Sequence, residues 1–519
     1  MNNNIIEERN KNFENKNINN IKINHVNSNI ISLRKKNVND TLLIKRNINL
    51  KKTSKFEINI NLNELPINEQ KQFSNIENEE ISFFKIIIEP IISINSKIFL
   101  LKELNKKLDN KNILTKENLN FIPSYFCGYF VDVDERIFKI KQIIYQILLI
   151  MIKITLLSND LELMDIFNNI NVFDFIFKIL YKYFDTIEEN YELIVLAINF
   201  LTNVLDNNIV IRDNIYNKKI FDLIYNFIEN NRYNKQLSYF EIIKASIGFF
   251  ACFSKIKFDN YYINEEINII KIGSINLLNI FTYFLQNNYH KDEIVKDCIW
   301  GFYYLTKYPN NNEIISYYFN NNILNNLYNL CNNNMNFLII VLRIIGNITS
   351  LNDEYCSIIY TENLANLLIN SLINNNTSYL INKEILWVIS NLCIGTNLKC
   401  LFQFNLLKTI IDTIKYDKNI KIVTEAMNVI LNCIINSNNV NIICEEIVEL
   451  VCKFFNENNS KNMIGILLLM CESILKENNS KYNMILINNG IKDILEKWVL
   501  MNENEISELS EKLLNIYFS

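Results

Sequence analysis

Three pairs of residues in the middle of the chain have side chains suited to holding an extended, positively charged peptide. Trp300 and Tyr304, Arg343 and Asn347, and Trp387 and Asn391 are each four residues apart. On a helix that spacing puts both members of a pair on one face, one turn apart. An asparagine amide offers both donor and acceptor, so it can grip a peptide bond from two sides and fix strand direction and register. A tryptophan one turn earlier flanks a slot for the aliphatic stem of a lysine or arginine, with the charged head over the ring or against acids at the rim. Such a cation–π contact contributes about 0.5–2 kcal/mol, depending on desolvation. Several slots in series give micromolar or tighter binding without a deep pocket.

The elements that would carry these pairs are helices in a repeat. From Trp300 to Arg343 is roughly 43 residues and from Arg343 to Trp387 roughly 44, a period of helical solenoids. Apolar residues recur at three- and four-residue spacing through 139–157, 191–205, 238–252, 292–305, 336–349, 381–394 and 422–435. A polar break and another apolar helix follow each stretch, as in NNILNNLYNLC and ENLANLLINSLI. Strand signals are weak, because the isoleucine runs are too long and too helically spaced. The expectation is an all-α superhelix whose third helix per unit lines the binding face.

Composition agrees. The chain has 519 residues, 49% of them hydrophobic, with only 8 Gly and 4 Pro, which favours helices joined by polar loops. Asparagine fills those loops, and its tracts read as solvated connectors. Net charge is −4, but residues 1–60 hold 12 basic and 5 acidic side chains, about +7, leaving about −11 on the rest. A basic arm on an acidic body suits basic partners and argues against a body that binds nucleic acid directly. The 11 Cys show no C-x-x-C pair and there are 2 His, so a zinc site is not expected. Thiols in apolar helices, such as Cys252, Cys298 and Cys433, fit a reducing compartment. No secretory signal opens the chain, and the most apolar run, IIYQILLIMIKITLL, is broken by Lys153 and too short to span a bilayer. Phosphate-binding glycine motifs are absent and the two histidines lie in unrelated contexts, so no cofactor and no catalysis are expected.

Residues 1–75 are polar, Asn- and Lys-rich and too poor in apolar clusters to fold alone; the repeat region is placed at 76–519. Within the arm, ISLRKKNVNDTLLIKRNINL reads as a basic amphipathic helix starting near Ser32, with Leu33, Leu42 and Leu43 on one side. On physical grounds alone, it would suit anionic lipid or an acidic protein.

The repeats resemble a known family. LRIIGNITSLNDEY, KEILWVISNLCIG and DCIWGFYYLTKYPNN are similar to the fifth to seventh armadillo repeats of importin alpha, the nuclear-import adaptor. In that family the Trp/Asn ladder is interrupted by a Trp/Tyr and then an Arg/Asn repeat, the order seen here. ISLRKKNVNDTLLIKRN is similar to the importin-beta-binding segment. LEKWVLMNENEISELSEKLLNIYFS looks like the last repeat, and FIPSYFCGYF like the end of the first.

The resemblance implies a right-handed superhelix of about ten armadillo repeats, the last atypical. It implies a cargo site over Asn347, Asp353, Trp387, Asn391, Glu425 and Asn432. Arg343 would separate this site from a second one. It also implies an arm that binds importin beta through Leu33, Arg34, Lys35, Lys36, Leu42, Lys45 and Arg46. Glu503 and Glu505 would meet a CAS-type export receptor, and the protein would shuttle between cytoplasm and nucleus.

The N-terminal cargo site departs from the family pattern. Asn203 is kept, but Asn199 stands at its Trp position and Asn207 at its acid, with Asp206 one place early. The second repeat has Met151 and Thr155 at the pair, and the fourth has Ser246 and Phe250. In the eighth, Asn428 replaces Trp. The arm has Ile44-Lys45-Arg46 where the family has Lys-Arg-Arg. The other reading is an armadillo scaffold with a degenerate groove and no transport role, since any one such pair is more commonly core packing.

Overall fold

The computed structural model describes residues 93–109, 141–157, 167, 172–205, 215–255, 263–287, 292–307, 312–351, 353–373, 378–394, 405–436, 442–457, 460–477, 479–500 and 504–518. The basic arm and the expected boundary near residue 75 lie outside these. Every regular element among the described residues is helical. The chain divides into two compact units, with the boundary between Tyr304 and Leu305.

In the first unit the helices are α1 (Ile94–Asp109), α2 (Lys141–Leu157), α3 (Val172–Tyr183), α4 (Ile187–Leu205), α5 (Ile220–Asn231), α6 (Leu237–Phe253), α7 (Ile263–Gln286) and most of α8 (Asp292–Thr306). Helix α1 packs on α2, α2 on α4, and α4 on α6, so these four helices form one row. Phe221, Phe249, Phe250 and Phe253 knit α5 to α6, with the Phe221 and Phe250 rings 5.1 Å apart.

The second unit shows the repeat in full. Its helices are α9 (Asn312–Asn320), α10 (Ile323–Asn333), α11 (Leu338–Thr349), α12 (Asp353–Ile359), α13 (Glu362–Ile373), α14 (Tyr379–Ile394), α15 (Leu406–Tyr416) and α16 (Ile420–Asn436). These are followed by α17 (Glu445–Phe455), α18 (Lys461–Lys476), α19 (Ser480–Asn488), α20 (Ile491–Val499) and α21 (Asn504–Tyr517). Third helices stack in one row, α11 on α14, α14 on α16, α16 on α18, and α18 on α21. Second helices stack in a parallel row, α10 on α13, α13 on α15, and α15 on α17.

Sequence explains the two rows. A second helix carries one apolar stripe: α20 buries Ile491, Leu495 and Trp498, at the spacing of a single face. Third helices are apolar nearly all round, and α11 buries ten of its twelve residues. Helices α14 and α16 each have a third helix on both sides and their own second helix behind, so only a narrow face remains for polar groups.

The bend between first and second helices has its own requirement. Lys219, Asn322, Asn405 and Gly490 immediately precede α5, α10, α15 and α20, and all take left-handed φ of 54°, 56°, 57° and 70°. Asparagine tolerates that region better than most residues with a side chain. Two of the asparagines that read as mere solvated connectors therefore hold the elbow of a repeat.

Candidate functional site

The ladder positions fall on successive third helices, as the spacing requires. In the second unit Arg343 and Asn347 lie on α11, Trp387 and Asn391 on α14, and Glu425, Asn428 and Asn432 on α16. Asn347, Trp387, Glu425, Asn428 and Asn432 are all half-buried, so the face they share is partly open to solvent. Asn391 lies deeper, at 6% exposure.

Trp387 rests on the backbone of the preceding third helix. Its six-membered ring occupies the space where any side chain at Gly346 would begin, so the missing Cβ of Gly346 is what lets the indole lie against α11. One turn on, Asn391 Nδ2 donates to Gly346 O (3.1 Å) and Thr349 Oγ1 (3.5 Å). The same contact recurs along the row. Asn347 Nδ2 donates to Thr306 Oγ1 (2.9 Å), and Asn432 Nδ2 to Ser390 Oγ (2.6 Å). The ladder asparagines thus clasp each third helix to the one before it, at about 1 kcal/mol per bond. A primary amide carries two N–H groups and a carbonyl, so the half-buried Asn347 and Asn432, each using one N–H in the clasp, keep further capacity for a peptide.

Arg343 is nearly closed off, at 8% exposure, and its Nε and Nη2 both lie 3.0 Å from Glu384 Oε1. Glu384 precedes Trp387 by three residues on α14 and was missed in the sequence. It neutralises the guanidinium that would otherwise repel a cationic ligand next to Trp387. The 41 residues separating the pair left no local signal. Tyr379 opens α14, and its hydroxyl pKa is raised by burial and by the charge of Glu425. Asp353 is the first residue of α12, and nothing beyond its position on that helix is described.

In the first unit the ladder is shut. Trp300 and Tyr304 on α8 are 3% and 5% exposed, their rings stacked 5.7 Å apart, with Tyr303 edge-on to Trp300. Asn203 on α4 is 7% exposed and donates to Thr155 Oγ1 (3.2 Å), the same inter-helix clasp. Asn199, Met151, Ser246 and Phe250 are buried as well. Asp206 and Asn207 lie outside the described residues.

Glu505 is exposed in the first turn of α21, while Glu503 lies outside the described residues. So do the arm residues from Leu33 to Arg46. Among the described residues, no helix is long and apolar enough to cross a membrane, and no group of His, Cys, Asp and Glu is arranged to hold a metal.

No family model matches the sequence, and no curated protein does. Solved structures do match the fold. An engineered protein superposes with a TM-score of 0.61 at 13% identity, over 84% of this chain and 99% of its own. A structure from work on a phosphorylation switch in the cadherin–beta-catenin interaction gives 0.55 at 11% identity, over 84% and 85% of the two chains. A computationally designed armadillo repeat protein for modular peptide recognition gives 0.40 at 17% identity, over 46% and 98%. The fold is an armadillo-repeat solenoid. At these identities the likeness extends to the fold alone, and what the armadillo row of residues 305–519 binds has to be argued from its own side chains.

Proposed function

We propose that the protein is an armadillo-repeat interaction protein that holds an extended basic peptide along the third helices of residues 305–519. The observation that carries this reading is the open face on which Trp387, Asn347, Glu425 and Asn432 sit half-buried, with Glu384 cancelling the charge of Arg343 beside them. An aromatic wall on α14, half-buried amides on α11 and α16 and a carboxylate suit a strand of lysines and arginines. Titrating the full-length protein with a fluorescent lysine-rich peptide tests it. Saturable binding that weakens with salt is expected, and no binding at micromolar protein would end the proposal.

The finer proposal is a nuclear-import adaptor. Its cargo would carry basic localisation signals, and its arm, through Leu33, Arg34, Lys35, Lys36, Leu42, Lys45 and Arg46, would bind importin beta. Support comes from the order of the Trp/Tyr, Arg/Asn and Trp/Asn pairs and from the arm's composition. In this reading the protein shuttles between cytoplasm and nucleus, has no enzymatic role, and returns through an export receptor that meets Glu503 and Glu505. With importin beta absent, the arm would compete for the groove as a tethered ligand at up to about millimolar effective concentration. A pulldown separates the proposals: an adaptor retains importin beta and loses it when residues 1–60 are removed. A scaffold without a transport role does not retain it. That second reading is favoured by one observation, the closed ladder of the first unit, where Phe250 and Met151 fill positions that would have to be open.

A further inference from the structure

Two buried thiols lie on the helices that carry Trp387 and Asn432. Cys393 is two residues beyond Asn391 on α14, and Cys433 is one residue beyond Asn432 on α16. Both are buried and neither is in a disulfide, yet their Sγ atoms are only 3.0 Å apart. A disulfide bond is about 2.0 Å long, so about 1 Å of approach separates the thiol pair from a covalent link. The two helices stack on each other, and the bond from Asn432 to Ser390, one turn from the thiols, keeps them in register.

We propose that Cys393 and Cys433 form a reversible disulfide when the protein meets hydrogen peroxide, stapling two successive third helices of the repeat row. One thiol, as thiolate, attacks a peroxide oxygen; the S–O bond forms, the O–O bond breaks, and hydroxide leaves to become water. The second thiol then attacks that sulfur, the S–S bond forms, the S–O bond breaks, and a second water leaves. The thiols lose two electrons and the peroxide gains them. A small oxidant reaches the pair through local opening, which repeat arrays undergo unit by unit. Burial pushes the Cys331 thiol up to about 12 and the Cys298 thiol further, so neither of these two supplies much thiolate.

The staple would join the helices that carry Trp387 and Asn391 to those that carry Glu425 and Asn432. Its formation, however, does not depend on what the face binds. The test treats the full-length protein with hydrogen peroxide, quenches it, denatures it and alkylates with N-ethylmaleimide before peptide mapping. The expected result is a cross-linked Cys393–Cys433 peptide, two fewer alkylated thiols, an intact mass before alkylation lower by two hydrogens than that of the reduced protein, and reversal by dithiothreitol. Cys393→Ser and Cys433→Ser should each abolish the cross-link. Full alkylation of both residues in the treated wild-type protein would overturn the proposal, as would sulfinic acid at either site without a cross-link. A cross-link of Cys393 to Cys356 instead would also overturn it. The wild-type map decides the matter even if a serine variant fails to fold.

Discussion

The indole of Trp387 lies over the Cα of Gly346, so that the aromatic wall of one armadillo repeat is seated on the backbone of the repeat before it. The two residues are on α14 and α11, and the same pair of helices is joined by Asn391 donating to Gly346 O. Gly346→Ala would put a methyl group into the ring. Either the indole swings away or the helices part. Overpacking of this kind costs about 1–3 kcal/mol. Urea unfolding should show that loss, and peptide affinity should fall with it; a variant of wild-type stability and affinity would mean the ring is not seated there.

Peptide binding should depend on the second unit more than on the first. Trp387→Ala is expected to weaken a lysine-rich peptide by about 2- to 30-fold, the range of one cation–π contact. Asn203→Ala, at a buried position, is expected to change affinity by less. Fluorescence anisotropy with variants checked for folding by circular dichroism measures both. The opposite ranking would move the site to the first unit.

The elbow residues make a prediction about stability alone. At φ near 57° Asn405 pays a steric cost that glycine does not, and a β-branched residue would be worse. Asn405→Gly should be neutral or slightly stabilising, whereas Asn405→Val should lose about 1–2 kcal/mol. Thermal melts of the two variants distinguish them, and equal melts would deny the elbow its role.

Acid should loosen the C-terminal repeats. Burial pushes the Glu472 carboxyl up, but hydrogen bonds from Lys476 and Lys512, both 2.9 Å away, outweigh it and hold the pKa below the usual carboxylate value. A carboxyl with a lowered folded pKa stabilises the fold above its unfolded pKa and loses that contribution as pH falls through the folded value. Lys512 lies on α21 and Glu472 on α18, so the contact ties the final helix to the row. Glu472→Gln should cost about 1–3 kcal/mol at neutral pH, and the cost should vanish in acid. Hydrogen exchange in α21 at pH 7 and pH 3 reads it directly, and a variant equally unstable at both would remove the electrostatic explanation.

Much of the fold was legible in the sequence because a solenoid repeats one local rule. Third helices must be apolar nearly all round, so their periodicity showed in 336–349, 381–394 and 422–435. Arg343, Asn347 and Asn391, polar side chains in apolar helices, and Trp387 beside them stood out for the same reason. The elbows at Asn322 and Asn405 did not stand out, because asparagine is everywhere in the loops and a left-handed φ leaves no mark on composition.

What the sequence determined by itself was the repeat, its period, and which helix of each unit carries the ladder, since burial on a helix imposes spacing along the chain. Only the tertiary structure decided which rungs are open. Trp300 and Trp387 have the same residue type on equivalent helices, yet one is packed among tyrosines and the other lies half-exposed over a glycine. The pairings of Arg343 with Glu384 and of Cys393 with Cys433 bring together residues about 40 positions apart. Such contacts depend on how neighbouring repeats stack, and stacking is a relation between distant side chains that no local pattern records.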